Sequence, residues 1–192
     1  MHAGYFGLSG SGKSHLAQAH AKFYKTAHGR ETLVFDPRYV ERPTNKGEAR
    51  AKAELIERWH QPAFITGDKD EFCEVVFNSE NCFVVVDESI EFFDRGNFTD
   101  GVAIVTRGRH DGHLVGCIGQ HYYALPPSVR NNLTQFYCFR VSSDIAREIS
   151  KDAGDNSFRQ APSLRNRQCI AKIGDKPAFL LNTERLNQEA KS

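Results

Sequence analysis

The chain predicts an open, mostly parallel, doubly wound α/β sheet with helices on both faces and an antiparallel hairpin at its C-terminal end. Three observations predict it. Short apolar runs alternate with amphipathic helical stretches along most of the 192 residues. One run, Cys82-Phe83-Val84-Val85-Val86, is apolar without interruption, as in a strand buried on both faces of a parallel sheet. Gly7 to Ser14 reads GLSGSGKS, a glycine-rich loop between a strand and a helix, where such a sheet turns backbone N–H groups toward a phosphate.

Ala3–Phe6 is the first strand, and His15–His28, rich in Ala, Leu, Lys and Gln, is a helix stopped by Gly29. Glu31–Phe35 is a second strand, ended by Asp36-Pro37 with a carboxylate at its tip. After a polar loop through Lys46, Glu48–His60 is helical. Glu48/Lys52 and Glu54/Arg58 stand at i,i+4, Ala49, Ala53 and Ile56 share the apolar side, and Trp59 packs rather than stacks on a base. Ala63–Thr66 is a short strand, and Asp68-x-x-Glu71 is a capping box that opens a helix with Phe72, Val75 and Val76 facing inward. Cys82–Val86 is the buried strand, Asp100–His110 a helix, and Leu114–Gly119 and Phe136–Val141 are further strands. Ser143 caps a helix over Asp144–Ala153 that Gly154 stops. Gln168–Ile173 and Ala178–Leu181, joined by Gly174-Asp175-Lys176-Pro177, form the hairpin. One domain over residues 1–182 and a polar tail over 183–192 account for the chain.

Composition narrows the function. A chain that is 40% hydrophobic can build a core, and no run approaches the about 18 apolar residues of a membrane span. No signal-peptide layout opens the chain, so a soluble, cytoplasmic protein is expected. A net charge of +1 excludes a globally basic nucleic-acid coat, and any DNA contact must be local. Five cysteines without CxxC pairs read as buried free thiols, and eight histidines without an HExxH pair read as surface or core residues.

The glycine loop has the form GxxxxGKS. Glycines let the backbone curl around phosphates, Lys13 reaches the terminal ones, and the Ser14 hydroxyl serves Mg2+. Chance would produce the pattern in roughly one chain in a hundred of this length, so its setting between strand and helix matters. A flexible Gly/Ser turn leaves Lys13 unexplained. The nucleotide-binding set is Gly7, Ser9, Gly10, Ser11, Gly12, Lys13, Ser14 and His15. Phe83-Val84-Val85-Val86-Asp87-Glu88 delivers two carboxylates at a strand end, a Walker B pattern in which Asp87 holds Mg2+ and Glu88 activates the attacking water. The bland reading of Glu88 is a helix N-cap beside a solvated acid. Gln120, at the tip of the next strand, is placed to sense the γ-phosphate or the water. Arg107 and Arg109 flank Gly108 before that strand; a guanidinium there suits a finger supplied to a neighbouring subunit, or a solvated basic turn. Residues 157–176 hold Arg159, Arg165, Arg167, Lys172 and Lys176 against Asp175 alone, an ordinary solvated hairpin before it is a DNA contact.

P-loop, strand-Asp-Glu, Arg-x-x-Gly before a strand, and strand-Gln in this order resemble the FtsK/HerA superfamily of ring-forming DNA-pumping P-loop ATPases, with a RecA-like fold. The match runs from about Tyr5 to Ser150, and includes Arg109-His110-Asp111-Gly112-His113-Leu114-Val115 with Gln120, and Phe139-Arg140-Val141-Ser142-Ser143-Asp144. The compact core is similar to genome-packaging ATPases of tailless, internal-membrane viruses with double jelly-roll capsids. That resemblance implies ATP and Mg2+ as cofactors, double-stranded DNA and capsid or portal vertex proteins as partners, and a homo-oligomeric ring of five or six. It places the protein in the host cytoplasm and at the packaging vertex. Lys13, Ser14, Asp87, Glu88 and Gln120 carry over position by position. The finger is less cleanly matched: Arg109 fits best, Arg107 second, and Arg130 and Arg140 stay open. The alternatives are a Zot-like filamentous-phage export ATPase, which shares the Arg-His-x-Gly element, then a P-loop kinase, then a non-catalytic nucleotide switch.

Overall fold

A computed structural model of the chain describes residues 1–94 and 98–184. Strands β1 (His2–Phe6), β2 (Thr32–Phe35), β3 (Phe64–Thr66), β4 (Phe83–Val86), β5 (Leu114–Gly119), β6 (Leu133–Cys138), β7 (Gln168–Ile173) and β8 (Phe179–Asn182) join in one sheet. Their spatial order is β3-β2-β4-β5-β1-β6-β7-β8. The first six in chain order run parallel, and β7 and β8 add an antiparallel hairpin on β6. The helices are α1 (Lys13–His28), α2 (Lys46–Arg58), α3 (Lys69–Phe77), α4 (Ser89–Phe93), α5 (Thr99–Arg107), α6 (Pro127–Arg130) and α7 (Ser143–Asp152).

Successive residues of a strand face opposite sides, so the apolar strands fill two layers at once. On one side Leu33, Phe35, Val84, Val86, Cys117 and Phe6 pack with Phe72, Val76, Ile104 and Ile149 from α3, α5 and α7. On the other, Tyr5, Val34, Phe83, Val85 and Ile118 pack with Leu16, Ala17 and Ala21 of α1 and with Trp59. All five cysteines are free and buried. Tyr5 stacks on Tyr137 at 5.0 Å between centroids and donates its hydroxyl to His20 Nδ1 or accepts from it at 2.7 Å, which fixes α1 against the sheet centre.

The parallel run has a directional consequence. The carboxyl ends of β1, β2, β4, β5 and β6 share one edge of the sheet, where ligands of open α/β folds bind. Because β7 starts and β8 ends beside the end of β6, with Cys138 opposite Ile170 and Gln168 opposite Asn182, the residues flanking the hairpin reach the same edge.

Several expectations shift. The inner face of α2 is Leu55 with Ile56 half-buried, and Trp59 just beyond; Ala49 and Ala53 are exposed. The helix begins earlier, at Lys46, because the Asn45 side chain accepts from Glu48 N (2.9 Å) and Glu48 turns to Thr44 and Asn45 rather than to Lys52. Glu54 pairs with Arg58 as expected and with Arg50 as well. Asp68 caps α3, whereas Glu71 bonds Thr66 Oγ1 instead of closing the box. Strand β6 lies three residues earlier than the expected Phe136–Val141, and α7 is capped by Ser142, one residue before Ser143. Of the expected tail, residues 185–192 lie outside the described residues. Thr183, its first residue, is buried, and its N–H and hydroxyl both donate to Arg167 O at 2.9 Å.

Candidate active site

The loop after β1 is shaped by what cannot fit there. A β-carbon at Gly7 would stand 2.6 Å from Phe139 Cβ and 2.7 Å from Ser11 Oγ, so only glycine lets the loop leave the strand at this point. Leu8 N donates to Arg140 O at 3.0 Å, tying the loop to the end of β6. Gly12, at φ 113°, is the N-cap of α1; the helix has no side-chain cap and no acidic residue in its first turn. Its first N–H groups and the positive end of a sixteen-residue helix dipole are therefore open to an anion.

Lys13, the first residue of α1, is largely buried, and its Nζ donates to Leu8 O at 2.9 Å across the loop. Burial lowers the Lys13 pKa, while Glu88 and Asp87 raise it. Gly10, Gly12, Lys13, Ser14 and His15 line a cleft of about 410 Å³, together with Arg38, Arg58 and Arg167. Ser9 and Ser11, with Gly10, line a second hollow of about 310 Å³ beside Arg140. Gly7 lies behind both, at the strand end.

Asp87 and Glu88 follow β4 at the same edge. Asp87 is 3% exposed, and its pKa is pushed up to about 6 by burial and by the nearby Asp36, against the pull of Arg38. Asp36, at the tip of β2, is fully buried. Arg38 bridges the two carboxylates: Nε and Nη2 donate to Asp36 at 2.9 and 2.7 Å, and Nη2 also donates to Asp87 Oδ2 at 3.0 Å. Glu88 occupies the left-handed region at φ 52°, ψ 57°, a conformation that costs a non-glycine residue about 1–2 kcal/mol. Strain of this kind concentrates at functional positions, and here it aims a half-buried carboxylate that makes no side-chain hydrogen bond among the described residues.

Between these carboxylates and the P-loop runs β5. Gly119 pairs with Phe6, and Gly7 N donates to Gly119 O at 3.4 Å, so Gln120 emerges between the two motifs. A β-carbon at Gly119 would stand 2.6 Å from Ser89 Oγ, which shows how tightly the end of β5 and the start of α4 are packed.

Arg107 and Arg109 do not join this cleft. They precede β5 and lie at the opposite edge of the sheet, where Asn81 N bonds Asp111 O and Arg30 bonds Gly112 O. A six-residue strand spans about 20 Å, so neither reaches phosphates held by the P-loop of its own chain. Arg130 is engaged locally, paired with Asp152 at 3.0 Å and resting over Tyr122.

Asp36 marks the tip of β2 in the sequence, but nothing there marks Arg38 two residues on. The sequence places Arg167 in a basic stretch, whereas the structure brings that residue against the P-loop. Arg38 meets Asp36 locally, but its bond to Asp87 and the bond of Arg167 to Ser11 are made between segments distant in sequence, which no local signal announces.

No protein-family model matches the sequence, and no curated protein matches it. Solved structures do. The genome-packaging NTPase B204 of Sulfolobus turreted icosahedral virus 2, in complex with AMPPCP, superposes with a TM-score of 0.67 at 15% identity, covering 94% of this chain and 95% of that one. B204, the DNA-packaging ATPase of Sulfolobus turreted icosahedral virus, gives 0.68 at 16% identity, over 93% and 95%. VirB4 of Thermoanaerobacter pseudethanolicus gives 0.61 at 10% identity, over 94% and 88%. The chain has the RecA-like P-loop ATPase fold of these proteins, the fold that its motif order led us to expect.

Proposed function

We propose that this protein hydrolyses ATP and uses the energy to translocate double-stranded DNA into a preformed viral capsid, acting as a homo-oligomeric ring of five or six subunits. The observation that carries the reading is the convergence, at one sheet edge, of the P-loop with Lys13, the buried Asp87, the strained Glu88 and Gln120. Likeness in fold to packaging ATPases over nearly the whole chain supports the biological setting: host cytoplasm and packaging vertex.

The α1 N-terminus and Lys13 hold the phosphates. Glu88 takes the proton of the attacking water as its oxygen bonds the γ-phosphorus and the bond to the ADP oxygen breaks. Gln120 orients that water or reports the γ-phosphate. Ser14 and Asp87 are an oxygen-only donor pair, and no group of three or more His, Cys, Asp or Glu side chains among the described residues is arranged to hold a metal. Such a sparse set fits Mg2+, which takes its other ligands from phosphate and water and would neutralise charge on the β- and γ-oxygens. Arg109, or Arg107, acts from the neighbouring subunit, consistent with its position at the far edge.

The Glu88→Gln variant tests the assignment: it should bind ATP and fail to turn it over, and retained turnover would remove Glu88 as base. Mixing Arg109→Ala with Lys13→Ala subunits should restore part of the activity lost in each. A mixture as inactive as its components would remove Arg109 as a finger in trans. Likeness to VirB4 sustains a second reading, an export ATPase of the Zot kind acting with a protein machine. Stimulation of hydrolysis by naked duplex DNA favours packaging, and its absence favours export. Among the described residues no helix is long and apolar enough to cross a membrane.

A further inference from the structure

The C-terminal hairpin brings to the P-loop an arginine that the mechanism above does not use. Arg167, immediately before β7, stands at φ 63°, in the left-handed region. Its backbone is pinned on both sides: its N–H donates to Ser11 O at 3.2 Å, and its carbonyl accepts both bonds from Thr183. Its side chain crosses Gly12 so closely that a β-carbon there would stand 3.2 Å from Arg167 Cδ.

Three arginines line the nucleotide cleft, and two are already engaged: Arg38 with Asp36 and Asp87, and Arg58 with Glu54. Arg167 has no carboxylate partner among the described residues, and its Nη1 is buried without a hydrogen bond. Arg167 is half-buried, but a guanidinium N–H withdrawn from water and left unpaired is unfavourable, and an anion in the cleft would give it a partner.

The sheet order says which part of the ligand it meets. Strands β4 and β7 lie on opposite sides of β1, so Arg167 approaches the P-loop from the side away from Asp87 and Glu88. With the terminal phosphate turned to Glu88, the group on that opposite side is the phosphate next to the nucleoside. Resting on the nucleotide-site reading above, we infer that Arg167 is a nucleotide-binding residue that hydrogen-bonds the nucleoside-proximal phosphate of ATP and of ADP alike. A contact equal in substrate, transition state and product lowers KM without raising kcat.

The test compares Arg167→Gly, which accepts φ 63° without strain, with Lys13→Ala and the native protein. ADP affinity is read from titration with a fluorescent ADP analogue, and turnover from steady-state ATP hydrolysis. Loss of one charge-assisted contact should weaken ADP binding and raise KM for ATP by about 10- to 100-fold. The value of kcat should stay within about twofold, with no loss of thermal stability in the nucleotide-free protein. ADP affinity unchanged in Arg167→Gly while Lys13→Ala loses binding overturns the inference and leaves the site reading standing. So does a fall in kcat at unchanged KM, which would place the guanidinium at the terminal phosphate. Undiminished binding in Lys13→Ala overturns the nucleotide site itself, and this inference with it.

Discussion

Replacing Arg38 with methionine would leave two buried carboxylates facing each other. Asp36 is fully buried and the Asp87 side chain is 4% exposed, and both now accept from one guanidinium at 2.7–3.0 Å. Breaking a buried ion pair from one side costs about 3–5 kcal/mol. The Arg38 side chain is 57% exposed, so solvent already screens part of the attraction, and about 2 kcal/mol is the reasonable share. For a chain of this size that lowers Tm by about 4–8 °C. The loss should depend on pH in a defined direction. Asp87 titrates at about 6 in the folded protein, above its unfolded value of 3.8, so the folded state binds the proton first. A group of this kind weakens folding above its folded pKa and relaxes as pH falls toward the unfolded one. Without Arg38, which lowers the Asp87 pKa, that window extends upward. The gap in Tm between Arg38→Met and the native protein should be widest at about pH 8 and narrow toward about pH 5, where Asp87 is protonated in both and only the loss at Asp36 persists. Thermal denaturation of the two proteins across this range decides it. An equal gap at both ends, or none at the alkaline end, refutes the argument that Arg38 compensates these carboxylates.

Two further substitutions follow from backbone geometry. Glu88→Gly removes the left-handed penalty of about 1–2 kcal/mol and returns about 0.5–1 kcal/mol through the freer unfolded chain. Its Tm should therefore match or exceed the native value by up to about 6 °C, while hydrolysis falls by about 10²–10⁴; a clear drop in Tm would count against the strain at position 88. Gly12→Ala forces φ 113° on a residue with a β-carbon only 3.2 Å from both Arg167 Cδ and Phe139 Cε1. A cost of about 1–3 kcal/mol and a Tm lower by about 3–10 °C are expected. An alanine variant as stable as the native protein would show that the loop relaxes freely.

The motifs were legible because their chemistry is written in consecutive residues. Gly7–Ser14 needs only its neighbours to become a loop and a helix start, and Phe83–Glu88 only a sheet to be buried in. Leu114–Gly119 is legible to the residue because His113 and Gln120 bracket a run with no polar side chain. The face of α2 is not legible in the sequence, because i,i+4 spacing cannot tell which of two moderately apolar stripes meets the sheet. Trp59 decides it by packing under the α1 side. In β6 the apolar run outlasts the strand: Phe139 and Val141 lie in the loop that follows and are buried in the core layers, so burial alone overstates the strand. Pro127, at the first turn of α6, is a helix-start signal that the sequence does carry. Arg38 and Arg167 were beyond reach for another reason. The Asp87 contact of Arg38 and the Ser11 contact of Arg167 exist only because the strand order brings those partners near, and strand order is not a local property.

The bonds that Arg167 donates to Ser11 and accepts from Thr183 also set a timetable. The ribosome makes the P-loop long before it makes the hairpin that leans on it, and at about 5–20 residues per second the interval is roughly 10–30 s. Throughout that interval the glycine loop lacks its companion from β7, and β1 lacks both of its flanking strands until β5 and β6 have been made. The nascent chain therefore carries an unfinished cradle, and the earliest segment of the site is stabilised by one of the last. Until the hairpin docks, the Ser11 carbonyl lacks the Arg167 N–H that meets it in the finished fold, and Arg167 lacks the two donors of Thr183 that hold its own carbonyl.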